Sequence, residues 1–282
     1  MDWNKSNTIL IIAFIILNIF LVTSSYNDIF TEEYNVTDDK DFMENLENIL
    51  KVKNIVVNSE LPEETYMLPT LEAEYEILHV TKELLNSFLG PGVEPIEDVT
   101  IYRNDKGEVL EIKDGKKLHY TVRDKAFGNL NNEDKLTEEI NIFIEDKKID
   151  ASGYSEDYKH MDKDNLFVVY TRKHNNISMD NSYMYFYFDS NGIYKFEMQN
   201  IVSVKEKAEK IRTFSAAESL PRLLALKEIE NKEIIDIKMT YYSEEDENWQ
   251  FIYGINSDPV WKVIFSDGTQ EHLTSINTYN MN

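Results

Sequence analysis

From Ile9 to Val22 every residue except Asn18 is apolar, and this run constrains the chain more than any other feature. Fourteen residues alone fall short of a bilayer. Counted from Trp3 to Ser24, however, the stretch makes a helix of about 30 Å at 1.5 Å per residue, with Trp3 and Tyr26 where interfacial aromatics sit. The alternative is a cleaved secretory signal, which needs small residues at its cleavage site, and Val22-Thr23-Ser24 matches that requirement poorly. The flanks therefore favour an uncleaved anchor with Trp3, Lys5 and Tyr26 at the membrane interfaces. Lys5 marks the cytoplasmic end, while Asp28, Glu32, Glu33, Asp38 and Asp39 crowd the other side. An amide in hydrocarbon gains about 0.6–2 kcal/mol from a neighbouring helix that hydrogen-bonds it. Asn18 thus either meets a partner helix or lies near enough the outer interface to reach water.

Beyond the anchor the chain is strongly acidic. Asp2 and Lys5 are the only charges before residue 27, so the formal −23 of the chain rests on the remainder. A nucleic-acid partner is disfavoured on this ground, because phosphate neutralisation needs Lys and Arg on the contact face. With no cysteine there is no disulfide, thiolate metal site or cysteine nucleophile.

Periodicity along residues 27–282 alternates helices with strand runs. A helix with Phe42, Leu46, Ile49 and Leu50 on one face starts after Asp39. Ile55–Val57 and Ala73–His79 read as strands, with Pro62 and Pro69 as chain breaks. Thr81 starts a helix that stops before Gly90-Pro91-Gly92. Asp114-Gly115 joins Glu108–Lys113 to Lys116–Val122 as a hairpin. A further helix, capped at Asn132, carries Leu136, Ile140, Phe143 and Ile144. The strands Leu166–Arg172, Tyr183–Phe188 and Ile193–Met198 come next. Ser215-Ala216-Ala217-Glu218 is a capping box opening a fourth helix through to Ile229, kinked at Pro221. Four strands close the chain: Glu233–Tyr242, Trp249–Tyr253, Val260–Phe265 and Thr269–Ile276. The expected class is α+β, with antiparallel sheets each covered by helices behind a single N-terminal transmembrane helix. The division predicted is 1–26 for the cytoplasmic end and span, 27–128 for a first extracytoplasmic domain and 129–282 for a second.

Motifs for chemistry are missing. The five histidines never approach within zinc-helix spacing, and neither G-x-S-x-G, S-x-x-K, a P-loop nor G-x-G-x-x-G occurs. Asp162-Lys163-Asp164-Asn165 lacks the glycine and distal glutamate of a calcium loop. No catalytic residue, metal or cofactor is expected. In Tyr183–Phe188 the residues alternate, so that Tyr183, Tyr185 and Tyr187 share one face and Met184, Phe186 and Phe188 the other. The tyrosine face either contacts a partner or packs beneath a helix with its hydroxyls at the rim.

Met1-Asp2-Trp3-Asn4-Lys5, followed by Ile16-Leu17-Asn18-Ile19-Phe20-Leu21-Val22, resembles the start of YycI (WalI) proteins. The order of later elements, with the Ser215–Glu218 helix start, is similar more loosely; the very acidic ectodomain is a departure. The resemblance implies a non-enzymatic regulator of the WalK/WalR (YycG/YycF) cell-wall two-component system in Gram-positive bacteria. It implies a YycH-like sister protein and the sensor kinase WalK as partners, met through transmembrane helices, with Ile11, Phe14, Asn18 and Leu21 as the contact residues. An anchored module that binds a wall polymer, peptide or secreted protein through the tyrosine face is the competing class.

Overall fold

The computed structural model describes residues 40–126, 135–162, 166–227, 229–245 and 253–276. The span Ile9–Val22 and with it Trp3, Lys5, Ile11, Phe14, Asn18, Leu21 and Tyr26 lie outside the described residues. Among those described, no helix is long and apolar enough to cross a membrane.

Helix α1 (Lys40–Lys51) buries Leu46 and Leu50 and leads to the two-residue strand β1 (Val56–Val57). Strand β2 (Met67–Tyr75) starts earlier than its sequence suggests and runs through Pro69, expected to break the chain. Proline survives there because it faces Lys210 at a register irregularity, where a missing N–H disrupts the ladder least. Helix α2 (Lys82–Leu89) is capped as its sequence predicts: the Thr81 hydroxyl accepts from the Leu84 N–H at 3.1 Å, and Gly90 ends the helix at φ 79°. Strands β3 (Ile101–Arg103), β4 (Val109–Lys113) and β5 (Lys117–Thr121) succeed it, the last two joined at Asp114-Gly115 with both residues at positive φ. Helix α3 (Leu136–Lys147) buries Leu136, Ile140 and Phe143; Lys135 precedes it without a side-chain capping bond, and the expected cap Asn132 lies outside the described residues.

The next five strands are β6 (Tyr154–Met161), β7 (Leu166–His174), β8 (Ile177–Asp189), β9 (Gly192–Gln199) and β10 (Ile201–Arg212). The capping box at Ser215 forms as expected, yet it opens only one α-turn, α4 (Ala216–Ser219). Pro221 then tightens the chain into a 3₁₀ helix (Leu220–Ala225) that stops well short of Ile229, since proline removes the α-type hydrogen bond. Strands β11 (Glu233–Tyr242), β12 (Gly254–Phe265) and β13 (Gln270–Thr274) complete the described residues, whereas most of the expected strand Trp249–Tyr253 lies outside them.

Residues 43–282 form one compact unit. Their strands connect in the order β10-β2-β12-β11-β8-β9-β5-β4-β3, with β1, β6, β7 and β13 attached beside this path. The α+β class holds broadly, but the sheet is mixed rather than antiparallel: β1 and β8 each pair with β11 in parallel. Nor do the described strands fall into separate sheets. The twelve-residue β12 pairs with β2 through its first third and with β11 and β13 through the rest, which ties the strands together. Strands from either side of residue 128 are neighbours, β5 beside β9.

The largest core lies under α2 and α3, where Phe88, Ile140 and Phe143 cover Tyr120, Phe186 and Phe196. Phe143 stands edge-on to Phe186 at 5.9 Å and tilts against Phe196 at 5.1 Å. Each such buried ring contributes about 1.5–3 kcal/mol. The face of β8 carrying Met184, Phe186 and Phe188 is thus the one beneath the helices, and the tyrosines point the other way.

Candidate functional site

The opposite face of β8 owes its geometry to a bulge. Thr171 pairs with Tyr183, but the next residue, Arg172, pairs with Met179, leaving Asp180, Asn181 and Ser182 looped out of the β7 ladder. At the same point the other edge of β8 passes from β11 to β9. Bulges of this kind re-aim side chains and recur beside functional sites. Here the looped residues are stitched in place: Asn181 exchanges hydrogen bonds with the backbone of Ser243 at 2.7 and 2.9 Å, and the Ser182 hydroxyl lies 2.8 Å from that of Tyr154.

The bulge delivers Asp180 to Lys262 of β12, which is 1% exposed. Lys262 bridges Asp157 of β6 at 2.7 Å and Asp180 at 3.1 Å. The other oxygens are also satisfied: Ser178 and Lys238 donate to Asp157, and Thr240 and His272 contact Asp180, the latter at 2.6 Å. Burial alone would push the Asp180 carboxyl up, but Lys262 and the His272 hydrogen bond hold it at about 2. Burial would lower the Lys262 ammonium, and its two carboxylates instead raise it. The His272 ring stacks on Tyr242 at 3.8 Å and 8°.

Beside this cluster runs the tyrosine face. Tyr183, Tyr185 and Tyr187 are half-buried, with successive ring centroids 5.1 and 6.0 Å apart, and Phe167 flanks the last two. Burial, and then the Glu197 carboxylate, push the Tyr183 and Tyr187 phenols up, so both stay protonated hydroxyls. Tyr183 and Tyr185, but not Tyr187, join the charged cluster in lining a cleft of about 220 Å³.

A larger open cleft, about 840 Å³, lies by α2 and the end of α3. Several of its polar groups bond one another: Tyr154 to Asn200, Asn200 to Glu76, Arg172 to the Ile201 carbonyl, and Lys147 to the Phe88 carbonyl. No group of three or more His, Asp or Glu among the described residues is placed to hold a metal ion.

Sequence reasoning found the tyrosine alternation but not Asp157, Asp180, Lys262, His272 or Tyr242. One signal was available: Lys262 interrupts the apolar run Val260-Trp261-Val263-Ile264-Phe265, and a charge embedded in such a run needs a buried partner.

A family model described as YycI protein matches residues 33–282. Comparison with curated protein sequences finds no match. Among solved structures, the chain is similar to YycH from Bacillus subtilis at 12% identity and a TM-score of 0.52, covering 75% of this chain and 53% of that one. The chain therefore spans about half the length of that structure, and the likeness is one of fold. Looser matches are an uncharacterized protein from Eubacterium rectale (13% identity, TM-score 0.42, 82% of this chain and 94% of that one) and the Bacillus megaterium YpeB C-terminal domain (9% identity, TM-score 0.33, 69% and 96%).

Proposed function

The chain belongs to the YycI family, and from that premise we propose that it is a non-enzymatic, membrane-anchored accessory regulator of the cell-wall sensor histidine kinase WalK (YycG). The observation that carries this reading is the family match over residues 33–282, joined to the apolar run Ile9–Val22 that precedes it. The anchor passes once through the cell membrane, N-terminus in the cytoplasm, and places the acidic domain outside. The YycH-like fold supports a sister protein of similar architecture as the second partner.

Regulation in this scheme is a shift of populations. A lateral helix contact biases the kinase only by its difference in free energy between the two signalling states. A difference of about 1.4 kcal/mol changes their ratio tenfold, within what one amide and its apolar neighbours supply. Ile11, Phe14, Asn18 and Leu21 are the residues assigned to that contact.

The test is co-purification of the kinase from membranes. Asn18→Leu, or exchange of residues 7–24 for an unrelated span, should abolish association while circular dichroism of the extracytoplasmic part stays unchanged. Association that survives the exchange refutes the helix-contact mechanism.

A further inference from the structure

We propose that the outer edge of β10 pairs with the same strand of a second copy of the chain, antiparallel and centred on Ala208. This inference goes beyond the helix-mediated reading and requires neither the kinase nor the anchor.

Strand β10 ends the path of the sheet and, among the described strands, is hydrogen-bonded to β2 alone. Its other edge carries backbone donors and acceptors that an added strand can take up. The ladder fixes which residues offer them. On β2 the Tyr75 N–H bonds Tyr253 rather than β10, so by alternation Glu74 and Glu72 turn toward β10, where they face Ser203 and Lys205. Val204 and Glu206 therefore direct their N–H and C=O groups outward. At the far end Thr213 donates to the Tyr66 carbonyl, which leaves Arg212 and Lys210 outward. Between these limits Lys207, Ala208 and Glu209 stand opposite Thr70 alone, and the same alternation sets Ala208 outward. Every residue from Lys205 to Lys210 is exposed.

Charge decides the occupant. Edge strands are commonly protected by like charges or a bulge that repel a neighbour. Here the signs are instead antisymmetric about Ala208: Glu206 and Lys207 precede it, Glu209 and Lys210 follow it. Laid antiparallel on itself, the strand sets Glu206 opposite Lys210 and Lys207 opposite Glu209 of the other copy, twice over across the two-fold axis. Registers centred on Glu206 or Lys210 have the same backbone parity but place like charges face to face. Among the described residues, Lys205 pairs with Glu72 at 3.9 Å and Glu206 meets the His174 ring at 2.8 Å through Oε1, while Lys207, Glu209 and Lys210 form no ion pair of their own. A one-strand contact lies at the small, transient end of interface sizes, below roughly 1,200 Å². Covalent trapping is therefore the suitable readout.

The chain has no cysteine, so a single introduced thiol reports the register. Facing Cα atoms of a hydrogen-bonded antiparallel pair are about 5.5 Å apart, within disulfide reach. The two copies of Arg212 would lie about 27 Å apart at 3.4 Å per residue. The experiment is oxidation by copper phenanthroline of the full-length chain in mild detergent. Ala208→Cys should give a covalent dimer and Arg212→Cys little or none. On the Ala208→Cys background, Glu209→Lys sets lysine against Lys207, and Lys207→Glu sets glutamate against Glu209. Either alone should cut the yield about fivefold or more, with the melting temperature unchanged because both side chains are exposed. Mixing the two variants restores opposite signs and should restore the dimer as a heterodimer. No dimer from Ala208→Cys, equal yields at 208 and 212, or a mixture no better than its separate components overturns the proposal.

Discussion

Replacing Lys262 with methionine removes the one cation that both Asp157 and Asp180 share, leaving Lys238 against Asp157 only. The side chains of Lys262, Asp157 and Asp180 are 1%, 3% and 6% exposed, so neither carboxylate can turn to water for compensation. Methionine fills much of the same volume, which confines the effect to electrostatics. Removing one partner of a buried ion pair costs about 3–5 kcal/mol. At about 2–4 °C per kcal/mol for a chain of this size, the melting temperature at pH 7 should fall by ~6–20 °C. The pH dependence gives a second, independent sign. In the wild type, Asp180 is held at about 2, below its ordinary 3.8, so its stabilisation is complete above 3.8 and is lost as pH falls through 2. That depression is worth about 2 kcal/mol. Without Lys262, Asp180 loses its cation and burial raises its carboxyl, while Asp157 keeps only Lys238; a raised carboxyl favours the fold as pH falls. The deficit of the variant should therefore narrow from pH 7 to pH 5, and adding Asp157→Asn should recover part of it at pH 7. Thermal melts of the three proteins by circular dichroism across this range provide the assay. A loss below about 3 °C at pH 7, or a deficit that widens on acidification, would refute the reasoning.

Two further perturbations test the ends of the strands that build the sheet. Gly268 sits at φ +84°, and a Cβ there would lie 2.8 Å from His160 Cγ, so Gly268→Ala should cost about 2–3 kcal/mol and speed amide exchange in the β12–β13 turn. Asp189 accepts both Arg123 guanidinium N–H groups and the backbone N–H groups of Ala126 and Asn191. Burial alone would raise its carboxyl, but these donors hold it at about 2. Asp189→Asn should destabilise by about 1–3 kcal/mol in urea melts at pH 7, with the difference from wild type shrinking as pH falls toward 2.

Features that depend on a few neighbouring residues were legible in the sequence. The Thr81 cap, the Asp114-Gly115 turn, the Ser215 capping box and the apolar face of α3 each arise from interactions within about one helical turn or one hairpin. Strand β10 was not legible, because it is charged and mostly exposed along its length and, among the described strands, pairs with β2 alone. It therefore shows no apolar period, and what holds it in the sheet is the backbone ladder to residues more than 100 positions earlier.

The candidate site carries the same lesson further. Composition and pattern alone determined an acidic α+β chain led by an apolar run, with Tyr183, Tyr185 and Tyr187 on one strand face. Tertiary structure alone decided which face lies under the helices, that the sheet is mixed, and that Asp157, Asp180, Lys262 and His272 meet. The contacts within that cluster link residues 82, 92 and 105 positions apart. Residues so distant are joined by strand order and by a three-residue bulge, and neither leaves a mark on the local run of side chains.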